Sequence, residues 1–135
     1  MILFFLFPTL ADAHVVMGGD RGETMKNIKI VENYFKDSFN LTLRRDVAVI
    51  NVGSVKEYAD LLKYFKINNA EEIAQKSGAV TSRNSVIVIN TAGTDKSDRL
   101  FLLAHEMTHQ YQFQQRGKVA TEDMAMLEGL SLIHI

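Results

Sequence analysis

The chain has 135 residues, enough for one domain, and its 47% hydrophobic content is that of an ordinary globular protein. A net charge of −1 offers no electrostatic footprint for nucleic acid or an anionic membrane. The absence of cysteine removes disulfides and thiolate chemistry, and one proline with eight glycines argues against a long disordered segment.

Residues 1–13 read as a signal peptide. Ile2 to Leu10 is an apolar run too short to span a bilayer, and Ala11-Asp12-Ala13 is an A-x-A cleavage site. No Lys or Arg precedes the run, so the competing reading is a buried strand or helix of a larger protein. The signal reading implies export to the periplasm or the outside. It makes His14 a free, exposed terminal residue and not a metal ligand. Gly18-Gly19-Asp20-Arg21-Gly22 reads as a flexible loop, without the strand-Gly-helix setting of a phosphate cradle. From Glu23 to Phe39, the positions Ile28, Val31, Phe35 and Phe39 predict a helix with one buried face, its aromatic residues in the core. Asp46 to Val52 predicts a buried strand.

Ser54-Val55-Lys56-Glu57 has the form of a capping box and opens a helix with Tyr58, Leu61, Leu62 and Phe65 as its stripe. A short helix is expected from Asn69 to Gln75, with Asn69 as cap and Glu72 at its third position. The Glu71-Glu72 pair there reads as compensation of the helix dipole, not as catalytic carboxylates. Gly78 to Asn90 reads as a hairpin: Ala79-Val80-Thr81, a turn at Ser82-Arg83-Asn84, and Val86-Ile87-Val88-Ile89 returning. Thr91 to Ser97 is a polar loop, with Ser97 or Thr94 as the expected cap of the next helix.

That helix carries His105-Glu106-Met107-Thr108-His109, an H-E-x-x-H pattern. Residues four apart share a helix face, so the two imidazoles converge on one point. Neutral imidazole at about 2.0–2.1 Å in a tetrahedral site suits zinc. Glu106 sits in the neighbouring sector, where a carboxylate takes a proton from a metal-bound water and passes it on. The bland alternative is a solvated helix face with two ordinary histidines. The setting favours the metal: Leu100, Leu103, Ala104, Met107 and Tyr111 form a core stripe, and Gly117 reads as the stop. Gln110, Gln112, Gln114 and Gln115 read as a solvated face, with Gln110 alone a candidate to support a ligand.

Catalytic zinc normally has three protein ligands and an open position. The metzincin continuation H-E-x-x-H-x-x-G-x-x-H fails, because Gln112 stands at the Gly and Gln115 at the last His. A cysteine ligand is unavailable to a chain without one. The next candidate is Glu128, in Met126-Leu127-Glu128-Gly129, separated from His109 by residues 110–127. H-E-x-x-H followed by Glu in a Glu-Gly-Leu context resembles the gluzincin metallopeptidases, above all the bacterial peptidase MA-like domains, whose motifs run HELTHxxQ and WLxEGLA. The resemblance covers roughly Gly78 to Gly129. It implies zinc held by His105, His109 and Glu128, with Glu106 as general base and a peptide or protein as substrate. It also implies that the strand before the zinc helix is an edge strand, and that the hairpin forms one wall of a cleft binding extended peptide by strand addition. Two positions depart from the pattern: Met126 stands near a frequent aromatic, and Leu132 stands where thermolysin-like members carry Asp.

Leu130-Ser131-Leu132-Ile133-His134-Ile135 resembles the translation of a transposase mosaic-end adapter, so 130–135 reads as a non-native tail on a truncated domain of residues 14–129. The expected fold is α+β and zincin-like: a small sheet, from Asp46–Val52 and the hairpin, packed with helices that include the H-E-x-x-H helix. The expected function is zinc-dependent peptide hydrolysis, with no nucleic-acid partner and no stable membrane span. Two rivals are a non-catalytic zinc-binding domain for protein interaction and a helical domain without metal.

Overall fold

A computed structural model describes residues 14–115. The segment 1–13 read as a signal peptide, the expected stop at Gly117, the expected third ligand Glu128 and the tail read at 130–135 lie outside the described residues. The order is β1 (Val15–Met17), α1 (Arg21–Phe39), β2 (Ala48–Val52), α2 (Val55–Tyr64), α3 (Ala70–Lys76), β3 (Ala79–Thr81), β4 (Val86–Asn90) and α4 (Lys96–Gln114). The fold is α+β: a mixed four-stranded sheet, ordered β1-β2-β4-β3, with helices on both faces. β1 and β4 run parallel to β2, and β3 pairs antiparallel with β4.

Period-two alternation along the strands sorts the core into two layers. Val49, Ile87, Ile89 and Ala79 point to α1 and α4, where Ile28, Val31, Phe35, Leu103, Met107 and Tyr111 cover them. Val52 and Val88 point the other way, under Tyr58, Ala59 and Leu62 of α2 and Ala70 and Ala74 of α3. The register Val49↔Ile87 and Ile50↔Val88 keeps each set on one face. Because both faces of β4 are covered, its sequence is a continuous apolar run and not an alternating one. β4 is therefore an interior strand. The edge next to the H-E-x-x-H helix is β3, which corrects the expectation that the strand directly before that helix is the edge.

Strand β1 was not expected. It is short, and it starts at residue 15, against the segment read as a leader. His14, expected to be exposed, has a side chain only 5% exposed. The Val47 N–H donates to its Nδ1 at 3.0 Å, so its Nε2 carries the proton and donates to Glu32 Oε2 at 3.0 Å. The glycines after β1 form a fixed turn and not a flexible loop. Gly18 and Gly19 have φ of +74° and +61°, and a Cβ on Gly18 would collide with the Asn51 carbonyl oxygen. Asn51 Nδ2 donates to Gly18 O and Thr24 Oγ1, closing the turn onto the start of α1.

The helix starts follow side-chain capping, with three differences from expectation. Ser54 Oγ accepts from Glu57 N at 3.1 Å, but the Glu57 carboxylate takes the Ser54 hydroxyl at 3.3 Å rather than the cap N–H. Asn69 caps α3 from a left-handed conformation (φ 59°) with no side-chain cap bond. Helix α4 is capped by Asp95, and not by Thr94 or Ser97. Asp95 Oδ1 accepts from Asp98 N at 2.8 Å while Asp98 Oδ2 accepts from Asp95 N at 3.2 Å, a complete reciprocal cap that a carboxylate at the third position makes possible. Among the described residues no helix is long and apolar enough to cross a membrane.

Two contacts anchor α4 at opposite ends. Near its start, Arg99 grips Glu23 of α1 with Nε at 2.6 Å and Nη2 at 2.9 Å, and the guanidinium holds that carboxyl below its ordinary pKa. At its end, the buried Gln114 accepts from the backbone N–H of Arg44 (2.6 Å) and Arg45 (2.8 Å) and donates to Arg45 O (3.3 Å). Gln114→Leu strands those backbone groups away from water, and an unsatisfied buried group costs about 1–3 kcal/mol. The variant is expected to unfold several degrees below wild type in a thermal melt; an unchanged Tm would remove this anchor.

Candidate functional site

The rotation of α4 sets the site. Leu103, Met107 and Tyr111 are 1% exposed or less and face the sheet, with the Tyr111 ring stacked on Phe35 at 4.0 Å. His105 and His109 are each two residues from a member of that stripe, so at ~100° per residue they stand on the far side of the helix from the sheet. Their rings lie 4.9 Å apart, centre to centre, and perpendicular. His105 Nε2 is 3.9 Å from Glu106 Oε2. The three motif side chains are therefore brought together as the spacing predicted, two imidazoles side by side with a carboxylate flanking one of them.

Glu106 sits between the histidine face and the sheet face and is 6% exposed. Burial disfavours its charged form and pushes its pKa up to about 7. A carboxyl group that titrates near neutrality is suited both to accept and to return a proton. Beside it opens a cleft of about 580 Å³, lined by His105, Glu106, Phe101, Ser77, Gly78 and Ala79 among others. One wall is thus the start of the edge strand β3. Behind that wall, Ser77 Oγ donates to Ile73 O at 2.9 Å, which leaves the Tyr58 hydroxyl to donate to Ser77 Oγ at 2.9 Å. Burial, chiefly, pushes Tyr58 up to about 12, and the Glu106 charge adds to the shift.

The glutamines after the motif are not a solvated face. Gln110 is 0% exposed, Gln112 and Gln114 are 4% and Gln115 is 7%. Gln110 Nε2 donates to Thr81 Oγ1 (2.5 Å) and Ser82 O (2.6 Å), tying the hairpin to α4 and not supporting a histidine. Gln112 does support one: its Oε1 lies 2.7 Å from His109 Nδ1. Gln115 donates to Thr42 O at 2.8 Å. The signal that sequence reading passed over is phase. Gln110 and Gln114 continue the 103, 107, 111 core face at helical spacing, so they had to be buried and bonded.

Among the described residues no three His, Cys, Asp or Glu side chains form a group able to hold a metal ion. His105 and His109 stand side by side on α4, and the third ligand expected from the sequence, Glu128, lies outside the described residues. No protein-family model, no curated protein and no solved structure matches the chain.

The raised pKa of Glu106 has a sign that can be tested. Its folded pKa, about 7, lies above the ordinary 4.5, so the folded chain binds this proton more tightly than the unfolded chain. That contribution to stability is whole below pH 4.5 and is lost as the pH rises through 7, a loss of about 3 kcal/mol. In chelator-treated protein, Glu106→Gln is expected to melt higher than wild type at pH 8 and close to it at pH 4. Equal melting temperatures at pH 8 would show that Glu106 is not desolvated.

Proposed function

We propose that this chain is a zinc-dependent peptidase of the gluzincin type. The observation that carries the proposal is the juxtaposition of His105, His109 and the buried Glu106 on one helix beside a cleft walled by an edge strand. Two imidazoles one turn apart present nitrogen donors of the kind zinc takes, and Glu128 is the proposed third ligand. Bound zinc supplies Lewis acidity, lowering the pKa of a water to about 7 and polarising a carbonyl.

The chain's own residues do the rest. The outer edge of β3, which pairs with no other described strand, offers backbone groups at the spacing an extended peptide requires, so substrate main chain pairs there while side chains enter the cleft. Glu106 takes a proton from the attacking water, and its buried setting keeps bulk solvent from competing for that proton. The same carboxyl group then donates the proton to the departing amine as the peptide C–N bond breaks. Leaving amine and new carboxylate account for both halves of the water. Tyr58 and Ser77 fix the wall opposite Glu106 and take no proton in this scheme. Export by the 1–13 leader belongs to the same proposal, since a secreted peptidase meets its substrates outside the cytoplasm.

Purified wild-type protein is expected to carry near-stoichiometric zinc by elemental analysis, and His109→Ala to lose it. Glu106→Gln is expected to keep the zinc and lose roughly 10²- to 10⁴-fold in peptide turnover, the usual contribution of a general base. Turnover surviving that substitution at the wild-type rate would falsify the mechanism. Zinc without hydrolysis in the wild type would favour a binding domain instead.

A further inference from the structure

We infer that Gln112 is a positioning residue for the metal site: its side-chain oxygen holds the proton of His109 on Nδ1 and so presents Nε2 as the ligating nitrogen. The inference rests on the zinc-peptidase reading and adds to it a residue outside the H-E-x-x-H motif. Gln112 lies three positions after His109, one turn further along α4, where side chains meet. It is 4% exposed, and its Oε1 is 2.7 Å from His109 Nδ1. An amide oxygen accepts and never donates, so this contact requires the proton on Nδ1. A neutral imidazole carries one ring proton, and Nε2 is then a bare lone pair.

The two ends of the Gln112 amide make opposite demands. Turned end for end, the amide would donate to Nδ1, move the ring proton to Nε2 and close that nitrogen to a metal. In the observed orientation Gln112 Nε2 is buried without a hydrogen-bond partner. The side chain therefore leaves both amide N–H donors without a partner among the described residues while its oxygen meets the imidazole. Burial also limits its rotation, since the rest of the turn is held by the Gln110 and Gln114 bonds on the opposite flank. Unlike a carboxylate at this place, a neutral amide fixes ring and tautomer without adding negative charge next to the ligand. Outer partners of this kind typically affect metal affinity by roughly 10- to 100-fold when removed.

The test uses ¹⁵N-histidine-labelled full-length chain, wild type beside Gln112→Leu and Gln112→Glu. The tautomer of His109 is read in the chelator-treated protein from long-range ¹H–¹⁵N couplings, and zinc affinity is read by chelator competition. Wild type is expected to show the Nδ1–H tautomer. Gln112→Leu is expected to shift His109 toward the Nε2–H form and to weaken zinc roughly 10- to 100-fold. Gln112→Glu restores an acceptor and is expected to restore both readouts, which separates positioning from simple loss of packing. An Nε2–H tautomer in the wild type overturns the inference. So does a folded Gln112→Leu that binds zinc as tightly as wild type, or a Gln112→Glu that binds as weakly as Gln112→Leu. A wild type that binds no zinc overturns the peptidase reading instead, while the tautomer still reports on Gln112 by itself.

Discussion

The contact between Met107, Tyr111 and the sheet is the constraint on which the site depends. A 19-residue helix lying on a sheet has one rotational freedom that matters, and the stripe Leu103, Met107 and Tyr111 removes it. Burial of such side chains contributes ~1.5–3 kcal/mol each, so turning the helix until the three leave the sheet would forfeit an amount comparable to the whole net stability of a small domain. With the stripe locked, His105 and His109 are placed away from the sheet and Glu106 on the flank by helical geometry alone. The polar anchors then fix position along the axis rather than rotation. The Asp95–Asp98 cap and the Arg99–Glu23 pair hold the beginning, and Gln110 and Gln114 hold the end.

Those anchors also tie the helix to three separate parts of the described chain. Arg99 reaches α1, Gln110 reaches the turn between β3 and β4, and Gln114 and Gln115 reach the loop between α1 and β2. A loop cannot be buried unless its backbone groups find partners. The glutamines supply them, at positions where an apolar side chain would leave loop N–H and C=O groups unmet. Exactness of the histidine pair is thus maintained from both sides of the sheet edge, by contacts that never touch the imidazoles.

The sequence made much of this legible, and the omissions share a cause. The α+β class, the hairpin, β2, and the helices at Glu23–Phe39 and Ser54–Phe65 followed from periodicity. The H-E-x-x-H side chains could be paired in space from their spacing alone. What was missed depends on partners distant in the chain. Strand β1 has three residues and exists because Val15–Met17 pairs with Ala48–Ile50, which no local pattern announces. The glutamines look solvated by composition, yet residues near 42–45 and 81–82 make them buried. Gly18 and Gly19 look like a flexible loop until Asn51 is seen lying against them. The interior position of β4 likewise follows from strand order, to which a run of apolar residues is silent.

Two glutamates on this scaffold show how environment assigns roles. Glu23 and Glu106 are both largely shielded, with side chains 11% and 8% exposed. Glu23 faces the Arg99 guanidinium with two short bonds, so its charge is held and its pKa falls. Among the described residues Glu106 meets no cation of that kind. Its neighbour is the His105 ring, and desolvation alone moves its pKa, upward. The first carboxylate is spent on structure, its charged form favoured by the guanidinium. The second is shaped by desolvation alone, beside the His105 ring and the cleft. Buried beside His105 with no cation partner among the described residues, Glu106 carries a stability penalty that is complete above pH 7, and buried acids with raised pKa are the kind that cluster at sites where protons move.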